Sequence, residues 1–127
     1  MTAQTNSAIS YCVGDADARP WGKWEVIAVG EGYICKEITV LSGAILSLQS
    51  HQHRSEHWVV LSGVAEVTLN EDTFTLSKNE TVFVPSGVKH RIANPDTLDL
   101  VFVEIQVGKV LDENDIERFE DRYGRSC

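Results

Sequence analysis

From Trp24 to Val107 the chain alternates apolar and polar positions in short runs broken by turn formers. The runs are Trp24–Val29, Tyr33–Leu41, Ala44–His51, Glu56–Ser62, Val64–Leu69, Asp72–Leu76, Thr81–Val84, His90–Ala93 and Leu98–Val107. Gly30, Gly32, Gly43, Gly63, Asn70, Asn79, Pro85, Gly87 and Pro95 punctuate them. Many short β-rich segments at this spacing predict an all-β sandwich or closed barrel. Several runs are apolar on both faces, Leu98-Asp99-Leu100-Val101-Phe102-Val103-Glu104-Ile105 most clearly. One face fills an interior; the other needs cover that a small monomer lacks, so a homodimer is expected.

The ends read differently. Residues 1–18 are small and polar and predict a loosely held arm, leaving 19–127 as one domain. Arg19-Pro20-Trp21-Gly22 predicts a turn anchored by an aromatic side chain. Near the C-terminus the period changes: Ile116, Phe119 and Tyr123 recur at helical spacing. Asp112 as N-cap, acidic residues in the first turn and Gly124 as the stop predict a short C-terminal helix packed on the barrel.

With 127 residues, 43% of them hydrophobic, the chain has material for one core. The formal charge of −8 argues against nucleic-acid binding, which needs a basic face, though a local basic pocket can still hold a small anion. Cys12, Cys35 and Cys127 form no CxxC pair and predict reduced thiols. No signal-peptide pattern or apolar span is visible, so the expectation is a cytoplasmic protein without membrane association.

Candidate chemistry is concentrated in Gln49-Ser50-His51-Gln52-His53-Arg54-Ser55-Glu56-His57-Trp58 and in Pro85-Ser86-Gly87-Val88-Lys89-His90. Alternate side chains of a strand share a face, so Gln49 and His51 can both point inward, while Glu56 opens the next strand and His90 a later one. Imidazole, carboxylate and amide donors suit zinc, and manganese or iron less selectively. By the same parity His57 faces outward. A rival register pairs His51 with His53 and puts His57 in place of Glu56.

The spacing resembles the cupin family. Its first motif reads here as Gly43, Gln49, His51, Glu56 and Gly63, and its second as Asn79, Pro85, Gly87, His90 and Asn94. Gln49 stands where many cupins carry His, and Asn79 where they carry Gly. Arg19-Pro20-Trp21-Gly22, Leu46-Ser47-Leu48-Gln49, His53-Arg54-Ser55-Glu56-His57-Trp58-Val59-Val60, Gly87-Val88-Lys89-His90-Arg91 and Arg118-Phe119-Glu120-Asp121-Arg122-Tyr123-Gly124-Arg125 resemble the type II mannose-6-phosphate isomerase cupin.

The resemblance implies a cupin-type double-stranded β-helix, or jelly-roll barrel. It implies one divalent ion held by Gln49, His51, Glu56 and His90, a Gln/His/Glu/His set like that around zinc in type I mannose-6-phosphate isomerases. The implied activity interconverts mannose 6-phosphate and fructose 6-phosphate and feeds GDP-mannose and polysaccharide synthesis. In that family the cupin commonly trails a guanylyltransferase domain; with none in this sequence, guanylyltransferase activity is not expected.

Such an isomerase needs a base and cations for the phosphate. His53, in the turn between two ligands, is the leading candidate for the proton shuttle, with Glu56 able to assist. Arg54 and Lys89 lead the phosphate candidates, followed by Arg19 and Arg125, while Arg91 should point away from His90. Trp21, Trp24 and Trp58 are read as packing residues. Two alternatives stand beside the isomerase: a non-catalytic, metal-stabilised sugar-binding or regulatory cupin, and an iron-dependent cupin dioxygenase.

Overall fold

The computed structural model describes residues 8–121. Among them every regular element is a β-strand: β1 (Ala8–Ile9), β2 (Ala16–Arg19), β3 (Gly22–Gly30), β4 (Tyr33–Val40), β5 (Leu48–Ser50), β6 (Arg54–Ser62), β7 (Ala65–Leu69), β8 (Asp72–Leu76), β9 (Thr81–Val84), β10 (His90–Ala93), β11 (Leu100–Gly108), β12 (Val110–Leu111) and β13 (Glu117–Glu120). A six-stranded sheet runs β2-β3-β4-β11-β6-β9 and a five-stranded sheet runs β13-β5-β10-β7-β8. Their inner faces enclose one core that includes Val26, Ile38, Val60, Val67, Ile92 and Phe102. No helix among the described residues is long and apolar enough to cross a membrane.

Period-two alternation explains which side chains enter. Strand β6 buries Arg54, Glu56, Trp58 and Val60; β11 buries Leu100, Phe102, Glu104 and Gln106; β4 buries Ile34, Lys36, Ile38 and Val40. Antiparallel register aligns these rows. Phe102 lies opposite Ile38 and Val60, Glu104 opposite Lys36 and Trp58, and Gln106 opposite Ile34 and Glu56. The interior is therefore apolar toward one end and polar toward the other. Each large apolar side chain removed from water contributes about 1.5–3 kcal/mol. Polar groups cost free energy there unless they find partners, which makes the polar end the informative one.

The long strands follow the alternating runs closely, and the turns carry the residues such turns need. Asn79 and Asn70 adopt left-handed φ values of 74° and 52°. Gly63 has φ 86°, and a Cβ added there would lie 2.7 Å from the Asp99 carbonyl oxygen.

Two expectations are corrected. Within the stretch expected as a loose arm, β1 pairs in parallel with β12 and β2 pairs with β3. Tyr11 between them is buried, its ring edge-on to Trp24 at 6.0 Å. Apolar anchors in a polar segment hold it; residues 1–7 lie outside the described residues.

The C-terminal helix does not form across the described part of its span. Asp112–Ile116 is a turn, its Asp112 Oδ1 accepting from the Asn114 amide at 2.8 Å, and β13 then pairs with β5. The open edge of β5 offers backbone partners over a distance in sequence that helical periodicity ignores. A few residues cannot offset the cost of nucleating a helix. Tyr123 and Gly124 lie outside the described residues.

Candidate metal centre

The polar end opens into a cavity of about 110 Å³ between the sheets. Gln49, His51, Glu56 and His90 all line it, so the four expected ligands converge on one space from β5, β6, β10 and the turn before β6. One donor atom from each of His51, Glu56 and His90 falls within 4.8 Å of the others. Gln49, half-buried, lies in register opposite His90.

Backbone acceptors orient both imidazoles. His51 Nδ1 is 2.6 Å from the Asp115 carbonyl oxygen, and His90 Nδ1 is 3.0 Å from that of Val88. A carbonyl only accepts, so each Nδ1 carries a proton, and in the neutral ring Nε2 then presents a lone pair. Those lone pairs face the carboxylate: His51 Nε2 is 3.3 Å from Glu56 Oε2, and His90 Nε2 is 3.9 Å from Glu56 Oε1. Imidazoles with Nδ1 tied back and Nε2 directed at a buried carboxylate are oriented as metal ligands require. Burial lowers the His51 pKa to about 4, so this ring is neutral near pH 7. The donor set fits a divalent ion.

Arg54 is the surprise. Its Nε donates to Glu56 Oε2 at 2.8 Å and its Nη2 lies 3.2 Å from His51 Nε2. Burial alone would raise the Glu56 pKa; the Arg54 guanidinium instead holds it well below the usual carboxylate range. Arg54 thus lines the cavity but is buried and committed to Glu56, rather than held open for a phosphate. An ion bound at the triad would share Glu56 with it and take over the His51 lone pair.

The other expected residues divide. Arg19 lines the cavity, pairs with Asp17 and with Glu113 at 2.8 Å, and has its guanidinium 5.9 Å from the Trp24 ring. Lys89 is exposed, with Nζ 4.3 Å from the Phe119 ring, and does not line the cavity. His53 is also exposed and outside it, because the Asp115 carboxylate pins the turn by accepting from the Gln52 and His53 amides at 2.9 Å. Arg91 points away from His90, bonding the Leu46 carbonyl and Glu120 at 3.0 Å each. His57 faces outward against Phe83, 4.7 Å between centroids with the rings tilted by 41°. Arg125 lies outside the described residues.

Two cavity residues were missed from the sequence. Glu104 accepts from Trp58 Nε1 at 3.1 Å and from Gln106 Nε2 at 2.7 Å. The same Trp58 N–H reaches Glu56 Oε1 at 3.0 Å. Burial, then the Glu56 charge, push the Glu104 pKa well above the carboxylate range. Lys36 is the second. Parity could have found both: each falls on the apolar side of a strong alternation, Ile34-Lys36-Ile38-Val40 and Leu100-Phe102-Glu104.

Two antiparallel sheets closing on a His/Glu cluster define a cupin barrel. Solved structures share the fold: a cupin domain of Cnp3 from Schizosaccharomyces pombe superposes with TM-score 0.65 at 22% identity, over 68% of this chain and 64% of that one. The capsular polysaccharide assembling protein CapF from Staphylococcus aureus reaches TM-score 0.72 at 22% identity, over 87% of this chain and 35% of CapF. The family profile "Mannose-6-phosphate isomerase C-terminal" matches residues 11–121, and the chain belongs to that family.

Among curated relatives, the xanthan biosynthesis protein XanB of Xanthomonas campestris pv. campestris is 51% identical over 85% of this chain and 23% of its own length. The mannose-1-phosphate guanylyltransferase ManC of Salmonella typhimurium is 49% identical over 84% and 22%. The chain thus spans about a quarter of the length of the relatives it matches.

Proposed function

We propose that this chain is a metal-dependent aldose–ketose isomerase interconverting mannose 6-phosphate and fructose 6-phosphate, in cytoplasmic supply of GDP-mannose for polysaccharide synthesis. The observation that carries the reading is the pair of backbone-locked imidazoles whose Nε2 atoms face Glu56. The family match supports the substrate class. Gln49, His51, Glu56 and His90 would hold one divalent ion, zinc by donor type, and the ion would polarise the sugar carbonyl as a Lewis acid.

The rest falls to the chain's own groups. In the reaction the C2 hydrogen moves to C1 as a proton while the O2 hydroxyl proton moves to O1, so nothing is oxidised and no co-reactant is needed. Glu104 faces the cavity beside the ligands, whereas His53 does not, so Glu104 is the carboxyl positioned to carry the proton between carbons. Trp58 orients it through Nε1. Among the described residues, Arg19, at the partly exposed rim, is the best placed of the expected phosphate cations.

A coupled assay on mannose 6-phosphate, with elemental analysis, tests the reading. Turnover is expected to disappear on chelation and return with a divalent ion. A protein that binds ion and sugar phosphate without turnover would favour the sugar-binding, non-catalytic alternative.

The same reading includes a homodimer. The outer face of the six-stranded sheet carries exposed Phe83 and Val107 with half-buried Val59, Val103 and Ile105, and the register places Phe83 and Ile105 on either side of His57. Phe83→Glu is expected to shift the protein to monomer in sedimentation velocity while sparing its metal content. A monomeric parent protein would sink this part of the proposal.

A further inference from the structure

We infer that Lys36 is a substrate-contacting residue, its ammonium binding hydroxyl or carbonyl oxygens of a sugar carbon chain inside the barrel. The inference rests on the sugar-phosphate reading above and names a contact that reading leaves out.

Lys36 lies on the inner face of β4 and is 6% exposed. An ammonium has three N–H donors and no acceptor. Among the described residues it makes one hydrogen bond, to the Tyr11 hydroxyl at 3.3 Å, and no carboxylate oxygen comes within 4.0 Å of it. Its other neighbours are aromatic faces, with Nζ 4.4 Å from the Tyr11 centroid and 4.2 Å from that of Trp24. Cation–π contacts recover part of the lost hydration but leave donors unused.

A purely structural residue at this position would not need a charge. A buried cation is costly, and an apolar side chain of similar volume is often as stabilising or more so. The residue lines the same cavity as His51, Glu56 and His90, and its cross-strand partner is Glu104. An occupant with several oxygen acceptors would complete the ammonium's shell.

Charge selects which oxygens. A phosphate dianion at this depth would face the Glu56 carboxylate, which lines the cavity and stays ionised. The neutral or partly charged oxygens of the carbon chain meet no such repulsion. The phosphate then belongs toward the rim and Arg19.

The test uses Lys36→Met in the full chain, with calorimetric titration of mannose 6-phosphate and of inorganic phosphate, elemental analysis and thermal melting. Metal content is expected to stay at the parent level and the melting temperature to hold or rise. Affinity for mannose 6-phosphate should fall by about 10- to 100-fold, as expected for losing a charge-assisted hydrogen bond. Affinity for inorganic phosphate should not change. Equal binding of the sugar phosphate by parent and variant overturns the inference, and an equal loss with inorganic phosphate overturns it in favour of a phosphate contact. If Lys36→Met does not fold, Lys36→Gln is measured instead, with a loss of about 10-fold expected and unchanged affinity again decisive against. A parent protein that binds the sugar phosphate but does not turn it over defeats the isomerase reading alone, and Lys36 is then judged on binding.

Discussion

Glu56→Ala is expected to cost about 3–5 kcal/mol of stability, the range for breaking a buried ion pair from one side. Glu56 is 1% exposed and accepts from two groups at once, the Arg54 guanidinium at 2.8 Å and Trp58 Nε1 at 3.0 Å, with His51 Nε2 3.3 Å away. Removing the carboxylate leaves Arg54 buried with its nearest counter-charge gone. Trp58 keeps Glu104 as acceptor, so the main loss is electrostatic rather than a missing hydrogen bond. A domain of this size has about 5–15 kcal/mol in total, so the variant should lose a large share of it. Urea denaturation of metal-free protein measures the effect. Glu56→Gln should lose less, because its amide oxygen can still accept from Arg54 Nε. A Glu56→Ala protein as stable as the parent would show that the cluster is not electrostatically coupled.

His51→Ala and His90→Ala should each abolish stoichiometric metal binding and reduce turnover to background, while His57→Ala should leave both near the parent level. Each of the first two removes a lone pair that a backbone carbonyl has aimed at Glu56, and the remaining donors cannot close the site. His57 is on the opposite face of β6, against Phe83. Elemental analysis of dialysed protein separates the cases without relying on activity. Loss of the ion in His57→Ala would instead favour the rival register, which keeps His51 and puts His57 in place of Glu56.

Much of this site was legible before any coordinates. Gln49, His51, Glu56 and His90 were brought together by strand parity and motif spacing, both local properties of the chain. Arg54 illustrates the limit. Its inward parity matches that of Glu56, two residues on, yet its place beside the ligands suggested a phosphate contact. Only the folded barrel shows that Glu56 and the His51 lone pair offset its burial. His53 shows the reverse. Its place between ligands suggested chemistry, but Asp115, far along the chain, holds that turn so that the ring stays outside the cavity.

The alternation of the chain alone was sufficient for the long strands, the turns at Gly63 and Asn79 and the inward set of ligands, because a pleated backbone imposes a period of two wherever it forms. Packing between distant segments decided the rest. Pairing of β13 with the edge of β5 displaced the expected helix, Tyr11 drew the N-terminal segment onto Trp24, and closure of the sheets gathered Lys36 and Glu104 beside the ligands. Those outcomes depend on which partners are available across the fold, and a partner remote in sequence leaves no periodic trace in the residues that meet it.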